Sequence, residues 1–153
     1  MYSEQKLLEI NAALKSHNIR FLKARMLTSL LETSLAISSL KSTRKLLSFF
    51  KKNIGPATED EAIIIIDCYT TIFNRMQALP SLKGRCLSRS LALSFMLSRK
   101  GISSDLRIGV CHYNGNLDSH AWLERNGRPI NDHPSVIARY FVLPEHKIST
   151  RFR

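Results

Sequence analysis

The spacing of apolar residues changes once along this chain, and that change limits the folds it can adopt. Residues 4–16 and 21–52 carry Leu and Ile at helical spacing, and the second stretch is long enough for one or two amphipathic helices. Residues 105–111 alternate instead, with Leu106 and Ile108 on one face, which indicates a strand. Helices followed by strands predict an α+β fold, in which N-terminal helices precede a small antiparallel sheet.

Two sequence signals divide the helical part. Asn53-Ile54-Gly55-Pro56 predicts a helix end, because Gly suits that position and Pro cannot continue a helix. Thr58 then opens Thr-Glu-Asp-Glu, a capping box in which the Glu61 side chain reaches back to the Thr58 amide. The helix that follows is expected to run to about Leu79. Its Ile63–Ile66 run fits a buried strand as well, but the cap and the length favour a helix.

After Pro80 one more helix is expected before the sheet. Leu87–Lys100 has helical spacing, and Gly101 follows as a C-cap. Residues 119–125 and 128–132 then flank Arg125-Asn126-Gly127, which predicts a hairpin turn between two strands.

Composition indicates a soluble chain with a real core. The 153 residues, 44% of them apolar, favour one domain, which we divide into a basic helical region (1–55) and a core (56–153). Three widely spaced cysteines argue for a reducing compartment rather than a disulfide framework. The N-terminus lacks the features of a secretion signal, and no run of about 18 apolar residues occurs. We therefore expect a cytoplasmic protein without a membrane span.

The net charge of +11 is concentrated in the N-terminal third, where residues 1–55 hold ten Lys and Arg against three Asp and Glu. Such a field could recruit nucleic acid, an anionic membrane or an acidic protein, or could be only a solvated basic face. No zinc-finger spacing, RNP-like aromatic run or KH-type loop is present, so we expect no nucleic-acid partner.

Cys86 is the candidate nucleophile. It lies between a Lys83-Gly84-Arg85 loop and a predicted helix, where the helix dipole and free amides stabilise a thiolate. The cations Arg85 and Arg89 act in the same direction, and the amides could receive an oxyanion. The alternative for a lone cysteine is a small buried residue without a chemical role.

His120 and Asp132 are the candidate base and the group that orients it. A cysteine nucleophile needs a base, and the base needs an acceptor on its second ring nitrogen. Strand alternation brings these two residues together only if the hairpin pairs them on one face. A three-residue connection ending in Gly127, with Glu124 opposite Arg128, gives that register and predicts positive φ at Gly127.

The motifs around these residues resemble one known family. Cys86-Leu-Ser-Arg-Ser-Leu-Ala-Leu, Leu106-Arg-Ile-Gly-Val and His120-Ala-Trp-Leu-Glu-x-x-Gly-x-x-Ile-Asn-Asp132 are similar to the transglutaminase-like leader peptidases of lasso peptide biosynthesis. The resemblance covers roughly residues 56–143. It implies a minimal papain/transglutaminase-like core, a nucleophile helix packed on a small antiparallel sheet, and a triad of Cys86, His120 and Asp132.

The resemblance also implies a function and partners. Enzymes of that family remove the leader from a ribosomally made precursor peptide, and a separate ATP-dependent cyclase then closes the ring. Many members are fused to, or work with, a small leader-binding domain that is β-rich at its start. The N-terminus here is helical in character, which implies the stand-alone peptidase with leader recognition on a separate protein.

Three further residues are predicted to lie near the site. Arg89, Trp122 and Asn131 are candidates for the wall or support of the site, whereas Cys68 and Cys111 are interpreted as packing residues. A metal site from Cys111-His112 with His120 and Asp132-His133 fits no common zinc spacing, and the proposed chemistry needs no cofactor. Acyl transfer to an amine and a non-catalytic scaffold for an acidic partner remain the alternative functions.

Overall fold

The computed structural model describes residues 4–50, 54–78 and 85–144. Within these residues the helices are α1 (Glu4–Ile37), α2 (Leu40–Phe49), α3 (Glu59–Gln77), α4 (Cys86–Ser98) and the short α5 (Pro134–Ile137). The strands are β1 (Asp105–Tyr113), β2 (Asn116–Arg125), β3 (Arg128–Pro129) and β4 (Phe141–Val142). Helices followed by a small antiparallel sheet confirm the predicted α+β class.

α1 is one continuous helix, although separate helical segments were expected over 4–16 and 21–52. The residues that join the two segments include no Gly or Pro, so nothing in the backbone interrupts the helix there. The break comes later, at Ser38-Ser39, where the Ser39 side chain accepts a hydrogen bond from the Ser42 amide and caps α2.

The predicted capping box at the start of α3 is confirmed. The Thr58 hydroxyl accepts from the Glu61 amide, and the Glu61 carboxylate accepts from the Thr58 amide at 3.0 Å. Ile63–Ile66 lies inside this helix, as interpreted from the sequence. The predicted helix end at Leu79, Pro80 beyond it and Asn53 of the preceding stop signal lie outside the described residues.

The sheet has the strand order β3-β2-β1-β4, with every neighbouring pair antiparallel. β1 and β2 form the long central hairpin, which was not predicted. Their two-residue turn is Asn114-Gly115, with φ of 50° and 76°. Two consecutive positive φ angles match the right-handed twist of a hairpin, and Asn-Gly is the sequence that accepts them most readily. The sequence therefore contained a signal for this hairpin at Asn114-Gly115.

The core lies between the helices and one face of the sheet. α4 packs against α1 on one side and against β2 on the other. Ala121 and Leu123 face this core, whereas Trp122 lies on the opposite face of β2 and is also fully buried. No helix in the described part of the chain is both long enough and apolar enough to cross a bilayer.

The turn between β2 and β3 also contains two residues. Arg125 pairs with Arg128 across Asn126-Gly127, whose φ angles are 52° and 72°. The predicted three-residue connection, with Glu124 opposite Arg128, is therefore wrong, whereas the positive φ at Gly127 is confirmed. The Asn-Gly turn preference outweighed the attraction expected between the opposite charges.

β3 ends at Pro129, so the chain leaves the sheet before it reaches Asp132. The strand predicted over 128–132 is too long, and the prediction that His120 and Asp132 are direct strand partners is wrong. Continued pairing in the observed register would have placed Asp132 opposite Ala121, on the other face. The chain bends instead, and the Asp132 carboxylate approaches His120 from outside the sheet.

Side chains replace the backbone bonds that a longer β3 would make. The Leu123 carbonyl accepts from the Ile130 amide, but the Leu123 amide donates to Asn131 Oδ1 at 2.7 Å. At the next pairing position the Ala121 carbonyl accepts from Ser90 Oγ of α4 at 3.1 Å. This edge of β2 is therefore open to α4, which is how the start of that helix reaches His120.

Candidate active site

Cys86 is the first residue of α4, which begins one residue before the predicted start at Leu87 and ends at Ser98 rather than Lys100. The preceding residue, Arg85, has φ −95° and ψ 48°, and its side chain makes no capping hydrogen bond. The Arg85 side chain therefore does not bond the backbone amides of the first turn. These amides point toward the end of the helix that carries the Cys86 thiol. This arrangement supplies donors and the positive end of the helix dipole beside a half-buried thiol.

The surroundings of Cys86 favour its thiolate. Burial by itself would raise the pKa of the Cys86 thiol, but a hydrogen bond with His120 and another from the Ala121 backbone lower it. The positive charges of His120 and Arg89 act in the same direction, and the pKa of Cys86 lies below its ordinary value.

His120 and Asp132 form a largely but not fully buried pair beside this thiol. His120 Nε2 lies 3.2 Å from Asp132 Oδ2, and the two side chains are 16% and 12% exposed. The contact is an ion pair whose geometry is not that of a hydrogen bond, and neither atom has a hydrogen-bond partner among the described residues. The polar contact with Asp132 and the one with Cys86 together outweigh burial and raise the pKa of His120 to about 9. The site therefore stabilises the thiolate of Cys86 beside the imidazolium of His120.

Two aromatic rings hold the imidazole of His120. The Trp122 ring is stacked near it at an interplanar angle of 22°, and the Tyr140 ring is tilted, with centroids 5.3 Å apart. Trp122 is fully buried, and its indole N–H donates to Glu124 Oε1 at 3.0 Å, which fixes the ring. Trp122 therefore lies beside the imidazole of His120, and its role as a wall or support of the site remains a prediction.

Gly109 provides the space that these rings need. It lies directly opposite His120 in the β1–β2 register. A Cβ at this position would lie 2.8 Å from the Tyr140 Cβ and 3.0 Å from the Trp122 ring. A larger residue would therefore displace one of the rings beside His120.

Tyr140 and Asp118 were not identified from the sequence. The Tyr140 hydroxyl donates to Asp118 Oδ2 at 2.7 Å, and this bond raises the pKa of Tyr140 to about 12. Alternation along β2 puts Asp118 on the same face as His120, so the strand pattern in the sequence could have predicted its position near the site. No local pattern predicts the position of Tyr140, because it reaches the site through the bend that follows α5.

Asn131 and Arg89, two of the predicted supporting residues, both lie close to Asp132. Asn131 Nδ2 donates to Ser90 Oγ at 3.2 Å while its Oδ1 holds the Leu123 amide, so it ties the segment before Asp132 to α4 and β2. Arg89 is buried, and its guanidinium interacts electrostatically with Asp132 and with the Cys86 thiolate. Ser90, which completes the Asn131 connection, was not predicted.

A groove of about 370 Å³ opens onto Cys86. Cys86, His120 and Ala121 form one wall, and the C-terminal part of α1 with the start of α2 forms the other. Its apolar lining comes from Leu35, Ala36, Leu40, Leu87 and Ile108. Glu32, on α1, is an acidic residue of this groove.

The other two cysteines lie on other elements of the fold. Cys68 is in the middle of α3 and accepts a hydrogen bond from Arg20, and Cys111 is on β1. In the described part of the chain, no three His, Cys, Asp or Glu side chains are placed to hold a metal ion.

Comparison with protein families supports this reading of the fold. A family model for the transglutaminase-like superfamily matches residues 27–145, which is most of the chain. The chain belongs to the transglutaminase-like superfamily. No curated protein and no solved structure matches it.

Members of the transglutaminase-like superfamily are generally cysteine-type enzymes with peptidase or acyltransferase folds. The match includes the segments that carry Cys86, His120 and Asp132, and it begins inside α1 at residue 27. The groove-lining part of α1 therefore belongs to the matched region.

Proposed function

We propose that the chain is a cysteine peptidase that removes the leader from a ribosomally synthesised lasso peptide precursor. The observation that carries the peptidase assignment is the arrangement of three side chains. Cys86 starts a helix, and it contacts a histidine whose Nε2 lies 3.2 Å from Asp132. A thiol, a base and an orienting carboxylate in this order match the requirements of thiol-dependent acyl transfer.

The proposed reaction uses each of these groups in turn. The Cys86 thiolate attacks the carbonyl carbon of the leader–core amide, and amides at the start of α4 stabilise the oxyanion. Protonated His120 donates its proton to the leaving amine as the C–N bond breaks, which leaves a thioester on Cys86. Water then attacks the thioester while His120 accepts its proton, and the leader leaves with a free carboxylate. Asp132 keeps the imidazole oriented and stabilises its charge.

The substrate assignment rests on the sequence motifs. The Cys86 block and the His120–Asp132 block together resemble the motifs of the leader peptidases, and either block alone would be a weaker signal. The proposed partners are the precursor peptide, a small leader-binding protein and an ATP-dependent lasso cyclase. Genes for a short precursor, a leader-binding protein and an asparagine-synthetase-like cyclase are expected beside this one, and other neighbours would count against the assignment.

The exposed side of α1 supports a separate partner. Its outer face consists of apolar residues spaced for one helical stripe and 45–78% exposed: Ile19, Leu22, Met26, Leu30 and Ile37. Exposed Lys23 and Arg25 flank this face. Two copies of a chain with net charge +11 repel each other, so we assign the α1 outer face to an acidic leader-binding protein.

The test of the peptidase assignment is cleavage of the precursor by Cys86→Ala. Loss of the nucleophile is expected to lower the rate by about 10⁴-fold or more. Cys68→Ala and Cys111→Ala are the matched controls and should retain activity. Retained cleavage by folded Cys86→Ala would refute the assignment, and a product that carries an added amine in place of water would indicate acyltransferase activity.

A further inference from the structure

Glu32 is an acidic residue in the groove to which the proposed mechanism gives no role. It lies on α1, across from the start of α4, and it lines the same groove as Cys86 and His120. Its side chain is half-buried. A charged group in that position faces whatever chain enters the groove.

The Glu32 carboxylate is only partly satisfied by the protein. Oε2 accepts a short hydrogen bond from the Ser88 hydroxyl, and Ser88 is itself 1% exposed. Among the side chains that the structure describes, no Lys, Arg or His nitrogen lies within 4.0 Å of the carboxylate. Arg85 also lines the groove but lies beyond that distance. A carboxylate can accept about four hydrogen bonds, so most of its capacity remains for a ligand.

A purely structural role explains this arrangement less well. Glu32 lies near the start of α4, where a negative charge suits the helix dipole. A helix cap, however, accepts from backbone amides, whereas the hydrogen bond of Glu32 comes from the Ser88 side chain. Partial burial of an uncompensated charge costs free energy, and a positively charged ligand group would recover it.

We propose that Glu32 makes the groove selective for a positively charged group beside the bond that Cys86 attacks. In the proposed peptidase, on which this assignment of the ligand rests, that group is a Lys or Arg side chain of the substrate. Glu32 is thus a specificity residue, and it takes no part in the bond-breaking steps.

The first experiment measures the charge preference of the groove without any peptide cleavage. Cys86 is modified with 2-aminoethyl methanethiosulfonate, a cation, and with neutral 2-hydroxyethyl methanethiosulfonate, and the rates are followed by site-resolved mass spectrometry. Glu32→Gln keeps an acceptor for Ser88 but removes the charge, and it should lower the cation-to-neutral rate ratio by about threefold to tenfold. Asp67→Asn, an exposed site on α3 with the same charge change, should leave that ratio unchanged.

The second experiment uses peptides that carry the cleaved sequence with Lys, Leu or Glu at each position next to the scissile bond. Wild-type protein should prefer Lys at one position by about tenfold in kcat/KM, and Glu32→Gln should lose that preference while still cleaving the Leu peptide. Ser88→Ala, which keeps the carboxylate, should retain the preference.

Three outcomes would overturn the proposal. One is a cation-to-neutral ratio that is the same in wild type and Glu32→Gln. Another is a Lys preference that survives Glu32→Gln. The third is an equal loss of rate for every reagent and peptide in Glu32→Gln and Ser88→Ala, which would show a structural role. If no peptide is cleaved but the reagent ratio falls as expected, the proposed peptidase function fails and the cation-selective groove stands.

Discussion

The chemistry proposed for this chain depends on the charge states of Cys86 and His120. The pKa of the thiol is lowered, and the pKa of His120 is raised to about 9 by contacts with Asp132 and Cys86. Each side chain favours the charged form of the other. The reactive pair is therefore present over a pH window that begins below the ordinary pKa of a thiol and ends near pH 9.

The first prediction at this scale concerns pH. Cleavage needs a proton on His120, so kcat/KM should rise as Cys86 loses its proton and fall as pH increases through about 9. Asp132→Asn removes the main cause of the raised His120 pKa, so the alkaline fall should move toward the ordinary histidine value. Profiles of kcat/KM for both proteins measure this shift, and an unmoved alkaline limb would contradict the assigned role of Asp132.

The same shift predicts how stability changes with pH. Because the folded-state pKa of His120 is raised, its stabilisation is complete below about pH 6.5 and is lost as pH rises through about 9. In urea titrations, the free energy of unfolding of the wild-type protein should therefore decline over this pH interval. The decline should be smaller in Asp132→Asn.

A third residue-scale prediction concerns Gly109. In Gly109→Ala the new methyl group would lie 2.8 Å from the Tyr140 Cβ, and overpacking of this kind costs about 1–3 kcal/mol. Since Tyr140 and Trp122 hold the imidazole, the rate of Cys86 alkylation should fall as well. Gly55→Ala, where a Cβ meets nothing within 4 Å, is the control. Unchanged stability and alkylation in Gly109→Ala would show that the rings do not position His120.

At the scale of elements, the short β3 determines where Asp132 lies. A strand that continued past Pro129 would occupy the edge of β2 that α4 now approaches. Asn131 and Ser90 replace the missing strand by bonding Leu123 and Ala121. The nucleophile helix and the carboxylate can therefore meet at one edge of the sheet.

This arrangement predicts the effect of Asn131→Ala. The substitution leaves the Leu123 amide without its acceptor, at a cost of about 1–3 kcal/mol in the free energy of unfolding. It also releases the segment before Asp132, so the His120 pKa, followed by NMR, should fall toward its ordinary value. Asn74→Ala, on the exposed face of α3, should change neither quantity. Loss of stability with an unchanged His120 pKa would show that Asn131 stabilises the fold without positioning Asp132 beside His120.

At the scale of the whole molecule, the proposed peptidase presents two surfaces that serve different purposes. One side of α1 contributes to the groove, and the α1 outer face points away from the core. Residues on both sides of position 55 line the groove, and the division of the chain at that position remains a proposal.

Partner dependence is the prediction at this scale. The chain alone should cleave the precursor slowly and the leader-binding protein should accelerate it, because positioning raises the effective concentration of the substrate. Leu30→Ser, on the α1 outer face, should reduce that acceleration without changing the rate of the chain alone, and higher salt should weaken the association. Ile64→Ser is the matched control, since Ile64 is 70% exposed on α3 and Leu30 is 66% exposed on α1. Equal cleavage with and without the partner, or a stable homodimer through this face, would contradict the docking proposal.

Local signals in the sequence determined much of this protein. The capping box at Thr58, the helix that starts at Cys86 and the alternation of β1 depend on neighbouring residues alone, so they could be predicted. The requirement of a thiol for a base and an orienting carboxylate singled out His120 and Asp132, which the structure brings within 3.2 Å of each other. The positive φ at Gly127 followed from turn rules.

Only the tertiary structure decided the route by which Asp132 reaches His120 and which other side chains surround the site. The length of β3 depends on competition between its own backbone pairing and the side chains of Ser90 and Asn131, which come from different parts of the chain. Glu32 reaches the groove only because α1 packs against α4, and no local pattern encodes such a contact. These features result from interactions between residues far apart in sequence, whose energies depend on distances that exist only after folding.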